Sequence, residues 1–219
     1  ISGNLNVEAK GLIDANGAGW KNYYNDNDPE ILTLDWVINR KTGAHGGVSS
    51  IHASAVEYVY DSILNPMLPG EGAQKGDAAN SVFGGGCVKL TVGGTLTLDG
   101  NAQAKAVYQD INGGAGGTIN ITCGSISGSG TIDVTSQSAY GGTQGGGGRV
   151  AIRLTDTDAD FTSYPLARIA VARTADQSSG GTIYLQTAAE EDNSGTVYIK
   201  GDAGNTATVL TPFPSLAGG

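Results

Sequence analysis

Asp156-Thr157-Asp158-Ala159-Asp160 sets three carboxylates at alternate positions, a spacing with which a loop can turn its oxygens toward one calcium ion. The EF-hand form of that chemistry fails. Phe161 stands where the loop needs glycine, and Ala167 where it needs a bidentate glutamate. Asn25-Asp26-Asn27-Asp28-Pro29-Glu30 is a second acidic loop. For both, side chains capping their own turn are favoured several-fold over metal binding. Calcium on Asp156, Asp158 and Asp160 is thus the minority expectation, and no other cofactor is expected.

Asp14, Asp99 and Asp133 recur at what reads as one position of a repeated unit. Carboxylates that cleave sugars by hydrolysis stand ~5–9.5 Å apart in a groove. A polysaccharide lyase also wants a Lys or Arg base beside its carboxylates, and Arg149 and Arg153 are close in sequence. Each aspartate, however, ends a strand beside glycine or a small residue, which favours turn capping. No catalytic residue is assigned. His45 and His52 have no neighbouring Cys and no His at helical spacing, so zinc is disfavoured. His45, flanked by glycines, is expected to bond backbone in a turn. No Gly-x-Ser-x-Gly elbow occurs, and the glycine runs precede strands where a nucleotide loop would join strand to helix. Trp20, Tyr23 and Tyr24 sit among Asn, Asp and Gly, and rings in such a setting can stack on sugars; they are the candidate glycan contacts.

The elements that must position these residues follow a period. Val88, Ile119, Val150 and Ile183 each follow a glycine-rich run and open an alternating strand, at steps of 31, 31 and 33 residues. A fixed step in this range is a repeat-architecture signature. Each unit carries two short strands and a glycine-punctuated return. The 36 glycines are expected in turns that need positive φ. Lys89, Thr91, Asn120, Thr122, Arg153, Tyr184, Gln186 and Tyr198 form an expected wet outer face. Strand parity turns Cys87 outward and Cys123 inward, so two free thiols are expected.

The economical fold is all-β: a right-handed parallel β-helix (β-solenoid) spanning 1–219 as one domain. It would carry an irregular insert at about 20–83 and less regular rungs over 155–219. A glycine-rich β-sandwich is the alternative if the units are antiparallel hairpins. The formal charge of −9 with only 12 Lys and Arg argues against nucleic acid, and no apolar run approaches the ~18 residues of a membrane span. Opening at Ile1, the chain reads as a processed product or excised fragment whose export signal would leave no trace.

The succession Gly43-Ala44-His45-Gly46-Gly47, Asn65-Pro66-Met67-Leu68-Pro69-Gly70, Gly84-Gly85-Gly86, Gly94 to Gly100, Gly116-Gly117-Thr118-Ile119, Gly128 to Ile132 and Gly145 to Ile152 resembles the glycine-rich repeats of very large secreted bacterial surface proteins. The resemblance covers most of residues 1–155, is to adhesins and autotransporter passengers, and implies a β-helical, cell-surface role. It carries no catalytic residue. The functions in play are a non-enzymatic secreted or cell-surface structural or adhesion module that binds glycan; a polysaccharide lyase or hydrolase on a pectate-lyase-like β-helix; and a self-assembling filament or sheath subunit. The balance is against an enzyme. The expected partners are polysaccharide or other cell-surface components and further copies of the chain.

Overall fold

The computed structural model describes residues 1–21, 43–47, 59–73, 82–107, 113–137, 144–172 and 180–200. Within them lie β1 (Leu5–Val7), β2 (Leu12–Asp14), β3 (Cys87–Leu98), β4 (Asn101–Gln103), β5 (Thr118–Ser127), β6 (Thr131–Asp133), β7 (Arg149–Leu154), β8 (Ile169–Ala170), β9 (Gly181–Gln186) and β10 (Thr196–Lys200). One 3-10 turn, Leu166–Arg168, is the only helical element among the described residues. A six-stranded sheet has the order β1-β3-β5-β7-β9-β10, and a four-stranded sheet the order β2-β4-β6-β8.

The register explains the period. Val88 pairs with Ile119, Ile119 with Val150, and Val150 with Ile183. The second sheet aligns Ile13, Ala102, Ile132 and Ile169 in the same way. Apolar side chains from both sheets meet in one core containing Leu96, Ile119, Ile126, Ile132, Val150, Ile152 and Ile183, all 2% exposed or less. Full burial of each such chain contributes about 1.5–3 kcal/mol. Tyr164, also fully buried, donates its hydroxyl to the Gly130 carbonyl at 3.2 Å.

The right-handed parallel β-helix (β-solenoid) expected from the period is not what forms. The larger sheet is mixed: β9 and β10 pair antiparallel, Thr196 opposite Leu185 and Lys200 opposite Gly181. A shorter, separate, wholly parallel sheet stands beside it. The physical reason for the reversal is the turn between the last two strands. Thr187 donates its amide and hydroxyl to the Glu190 carboxylate, Ser194 donates its amide to Glu191, and Asn193 takes a left-handed conformation at φ 64°. The sandwich of antiparallel hairpins fails as well, because every other pairing between named strands is parallel.

Two further expectations change. Among the described glycines, positive φ is found only at Gly17 and Gly128. The glycine runs serve close backbone approach instead. Gly85 donates to Ala115, Gly116 to Gly146, Gly46 to Gly147, and Gly70 to Gly85, all at 2.8–3.0 Å. A Cβ on Gly116 would lie 2.7 Å from the Gly148 nitrogen and closer still to the Val134 carbonyl. The outer face is the other change: Asn120, Tyr184 and Gln186 are buried, Asn120 beneath Asn65 and Pro66, and the other two against the β9–β10 turn, where Gly195 donates its amide to the Tyr184 hydroxyl and Gln186 donates to the Glu191 carbonyl.

Candidate functional site

The strap formed by residues 59–73 is where polar side chains converge. Sheet strands β5, β7 and β9 aim Thr118, Asn120, Arg149 and Thr182 away from the core, by the same alternation that sends Ile119 and Val150 into it. Asn120 Nδ2 donates to Asn65 Oδ1 at 2.8 Å and to the Pro66 carbonyl at 3.0 Å. The Thr118 hydroxyl donates to Leu68 at 2.7 Å. Arg149 sends Nε and one terminal nitrogen to the Tyr60 carbonyl at 3.1 and 3.0 Å, and the other to Thr182 Oγ1 at 2.8 Å. Arg153 donates to the Leu64 carbonyl and lies over the Tyr184 ring, 5.0 Å from its centroid.

His45 and Asp61 complete this arrangement. His45 is fully buried, and its Nδ1 sits 2.9 Å from the Gly116 carbonyl, an acceptor, so Nδ1 carries the proton. Nε2 faces Asp61 Oδ2 at 3.5 Å and is the atom that would take up a second proton. Asp61 holds φ 70°, a left-handed conformation that Asp tolerates, and thereby caps the strap from within. Its Oδ1 accepts the Ser62 amide, and its Oδ2 accepts the Met67 and Leu68 amides, each at 2.8 Å. Burial lowers the His45 pKa, and the Asp61 hydrogen bond only partly offsets this. Burial alone would raise the Asp61 carboxyl; the His45 bond and the Leu68 and Ser62 amides outweigh it and hold the group below 3.8. Burial also brings Arg149 down to about 10, with Asp61 opposing the shift.

This cluster is a clamp in which neither the His45 imidazole nor the Arg149 guanidinium is open to solvent. His45 and Arg149 are both 0% exposed, and the nitrogens of Arg149 are all engaged. The sequence marked His45 as a backbone-bonding turn residue, and its bond to Gly116 has that character. Asp61, Arg149 and Thr118 were not legible as its neighbours, since 16 to 104 positions of chain separate them from it.

The other expected site residues fall elsewhere. Trp20 stacks on Tyr60 with centroids 5.4 Å apart, and Tyr60 in turn meets His45 at 4.9 Å, so one face of Trp20 is already covered. Tyr23, Tyr24, His52 and the loop 25–30 lie outside the described residues. Asp156 and Asp158 line a shallow hollow of about 530 Å³ with Ser125 and Thr155. Asp160 turns to Thr162 instead, accepting its amide at 2.9 Å and its hydroxyl at 2.5 Å, which holds its carboxyl below the usual range. Among the described residues no three His, Cys, Asp or Glu side chains gather as a metal group.

The aspartate column is corrected in register. Asp14 and Asp133 align through Gln103, whereas Asp99 sits at the corner after β3. Each carboxylate caps a neighbouring backbone amide: Asn16, Ser129 and Thr135 for Asp14, Asp99 and Asp133 respectively. Cys87 and Cys123 are free, and burial pushes the Cys123 thiol up to about 12. No family model, curated protein or solved structure matches this chain.

Proposed function

We propose that the chain is a non-enzymatic structural module, working as a scaffold in a secreted or cell-surface assembly of the adhesion type. One observation carries the reading. The described side chains best suited to acid–base or charge chemistry, His45, Asp61 and Arg149, are spent on pinning the strap to the sheet. A catalytic base must reach its proton within hydrogen-bond distance of substrate, and these groups are engaged with one another, with Thr182 and with strap and sheet backbone. The repeat composition and its likeness to glycine-rich surface proteins support the setting. The acidic charge of −9 supports partners other than nucleic acid.

The test is incubation with neutral and acidic polysaccharides, with and without calcium, measuring retention on the polymer and release of reducing or unsaturated ends. The expected result is no end release under any condition. Cleavage above the no-protein blank would sink the reading, and its loss in Asp14→Asn or Asp133→Asn would direct attention to that column. Calcium titration by calorimetry, repeated on Asp156→Asn/Asp158→Asn, tests the acidic hollow directly.

A further inference from the structure

We propose that the outer edge of β10, together with the groove beside it, takes up an extended peptide strand with alternating apolar side chains and basic flanks. The inference goes beyond the scaffold reading and does not depend on it. β10 ends the larger sheet, so its outer edge pairs with no described strand. In an antiparallel pair, alternate residues direct N–H and C=O away from the partner, here away from β9. Those groups form a template that only another extended backbone matches.

The side chains on this edge are apolar where solvent would favour charge. Tyr198 is 37% exposed on the core-side face and Ile199 48% on the strap side. The core-side face opens onto a groove of about 620 Å³ whose apolar lining includes Phe161, Pro165, Leu166, Leu185 and Tyr198. The groove exists because the core between the two sheets runs out here. Lys200 reaches across that mouth to the Leu166 and Ile169 carbonyls at 3.3 and 3.0 Å, closing one end and leaving the rest open. A strand added to β10 would send every second side chain toward this groove. Main-chain bonds then supply affinity, and the groove supplies side-chain selection.

Charge decides between occupants. Acidic residues flank the groove: Glu190 in its lining, exposed Asp160 next to Phe161 in sequence, and exposed Glu191 and Asp192 following Glu190 in the β9–β10 turn, with Lys200 as the basic residue at the closed end. A second copy of this chain would bring the same acidic residues and a charge of −9, whereas a peptide flanked by Lys or Arg is attracted.

The probe is a fluorescein-labelled decapeptide, Lys-Lys-Thr-Val-Thr-Phe-Thr-Val-Lys-Lys, titrated with the full chain and followed by anisotropy. Saturable binding is expected, weakened at least about tenfold by methylating alternate peptide amides. Tyr198→Ala should weaken it by a similar factor, with an unchanged melting curve as the check on folding. A version with Glu in place of Lys should not bind. Absence of saturable binding overturns the proposal. So does equal binding of the methylated peptide, which would mean charge attraction alone. A concentration-dependent dimer that excludes the peptide would assign the edge to a second copy and overturn it too.

Discussion

At the scale of single residues, the clamp makes two predictions. Arg149 is a fully buried cation whose partners are backbone and Thr182, with Asp61 as its counter-charge. Truncation to Ala removes three charge-assisted bonds and leaves Asp61 without its counter-charge, so Arg149→Ala should lower unfolding free energy by about 3–5 kcal/mol in urea titrations. Lysine cannot reproduce the fork of three bonds, and Arg149→Lys should recover only part of the loss. The second prediction concerns pH. With its folded pKa lowered from 6.5, His45 binds its extra proton more readily in the unfolded chain, so stability falls as pH drops below 6.5. Asp61, lowered from 3.8, stabilises the fold above that value and loses its contribution as pH falls through its depressed folded pKa. Urea midpoints measured from pH 8 to pH 4 should therefore decline with acid. In His45→Gln the decline just below pH 6.5 should flatten; an unchanged slope would remove His45 as its cause.

At the scale of elements, the glycine runs are the joints at which strap and sheet backbones touch. Gly116→Ala puts a methyl group against the Val134 carbonyl and the Gly148 amide, both backbone atoms that cannot swing aside. It should destabilise by about 3 kcal/mol or more, near the top of the range for overpacking. Gly3→Ala meets nothing within 4 Å and should be neutral or stabilising by under about 1 kcal/mol. Thermal melts of the pair distinguish glycine kept for close approach from glycine kept as a turn former. Ile132, fully buried between Ala102 and Ile169 in the smaller sheet, tests the core in the same assay. Ile132→Ala should cost about 2–5 kcal/mol.

At the scale of the molecule, the net charge of −9 opposes association of copies at neutral pH, and the isoelectric point lies near 4.5. Acid removes that repulsion over the interval in which protonation is already weakening the strap. Light scattering between pH 7 and pH 4 should show association setting in as pH 4.5 is approached, along with loss of the near-ultraviolet signal from Trp20 stacked on Tyr60. Association at neutral pH, growing with concentration, would instead favour the filament reading. The blunting of one sheet end by Lys200 argues against that outcome on the β8 side.

The sequence by itself determined the 31-residue step, the inward and outward parity of β3, β5, β7 and β9, and the inward place of Cys123. These are local properties, since alternation and glycine punctuation are written within each unit. It misplaced Asp99 because Thr95-Leu96-Thr97-Leu98 continues β3, whereas the like-looking Thr131-Ile132-Asp133 pairs with β4 in the other sheet. Only the tertiary structure decided that β10 turns back, that residues 59–73 cover the polar face, and that His45, Asp61 and Arg149 meet. Each depends on chain segments far apart in sequence coming together. A buried arginine and an exposed one look the same in sequence; what lies over the strand settles which it is.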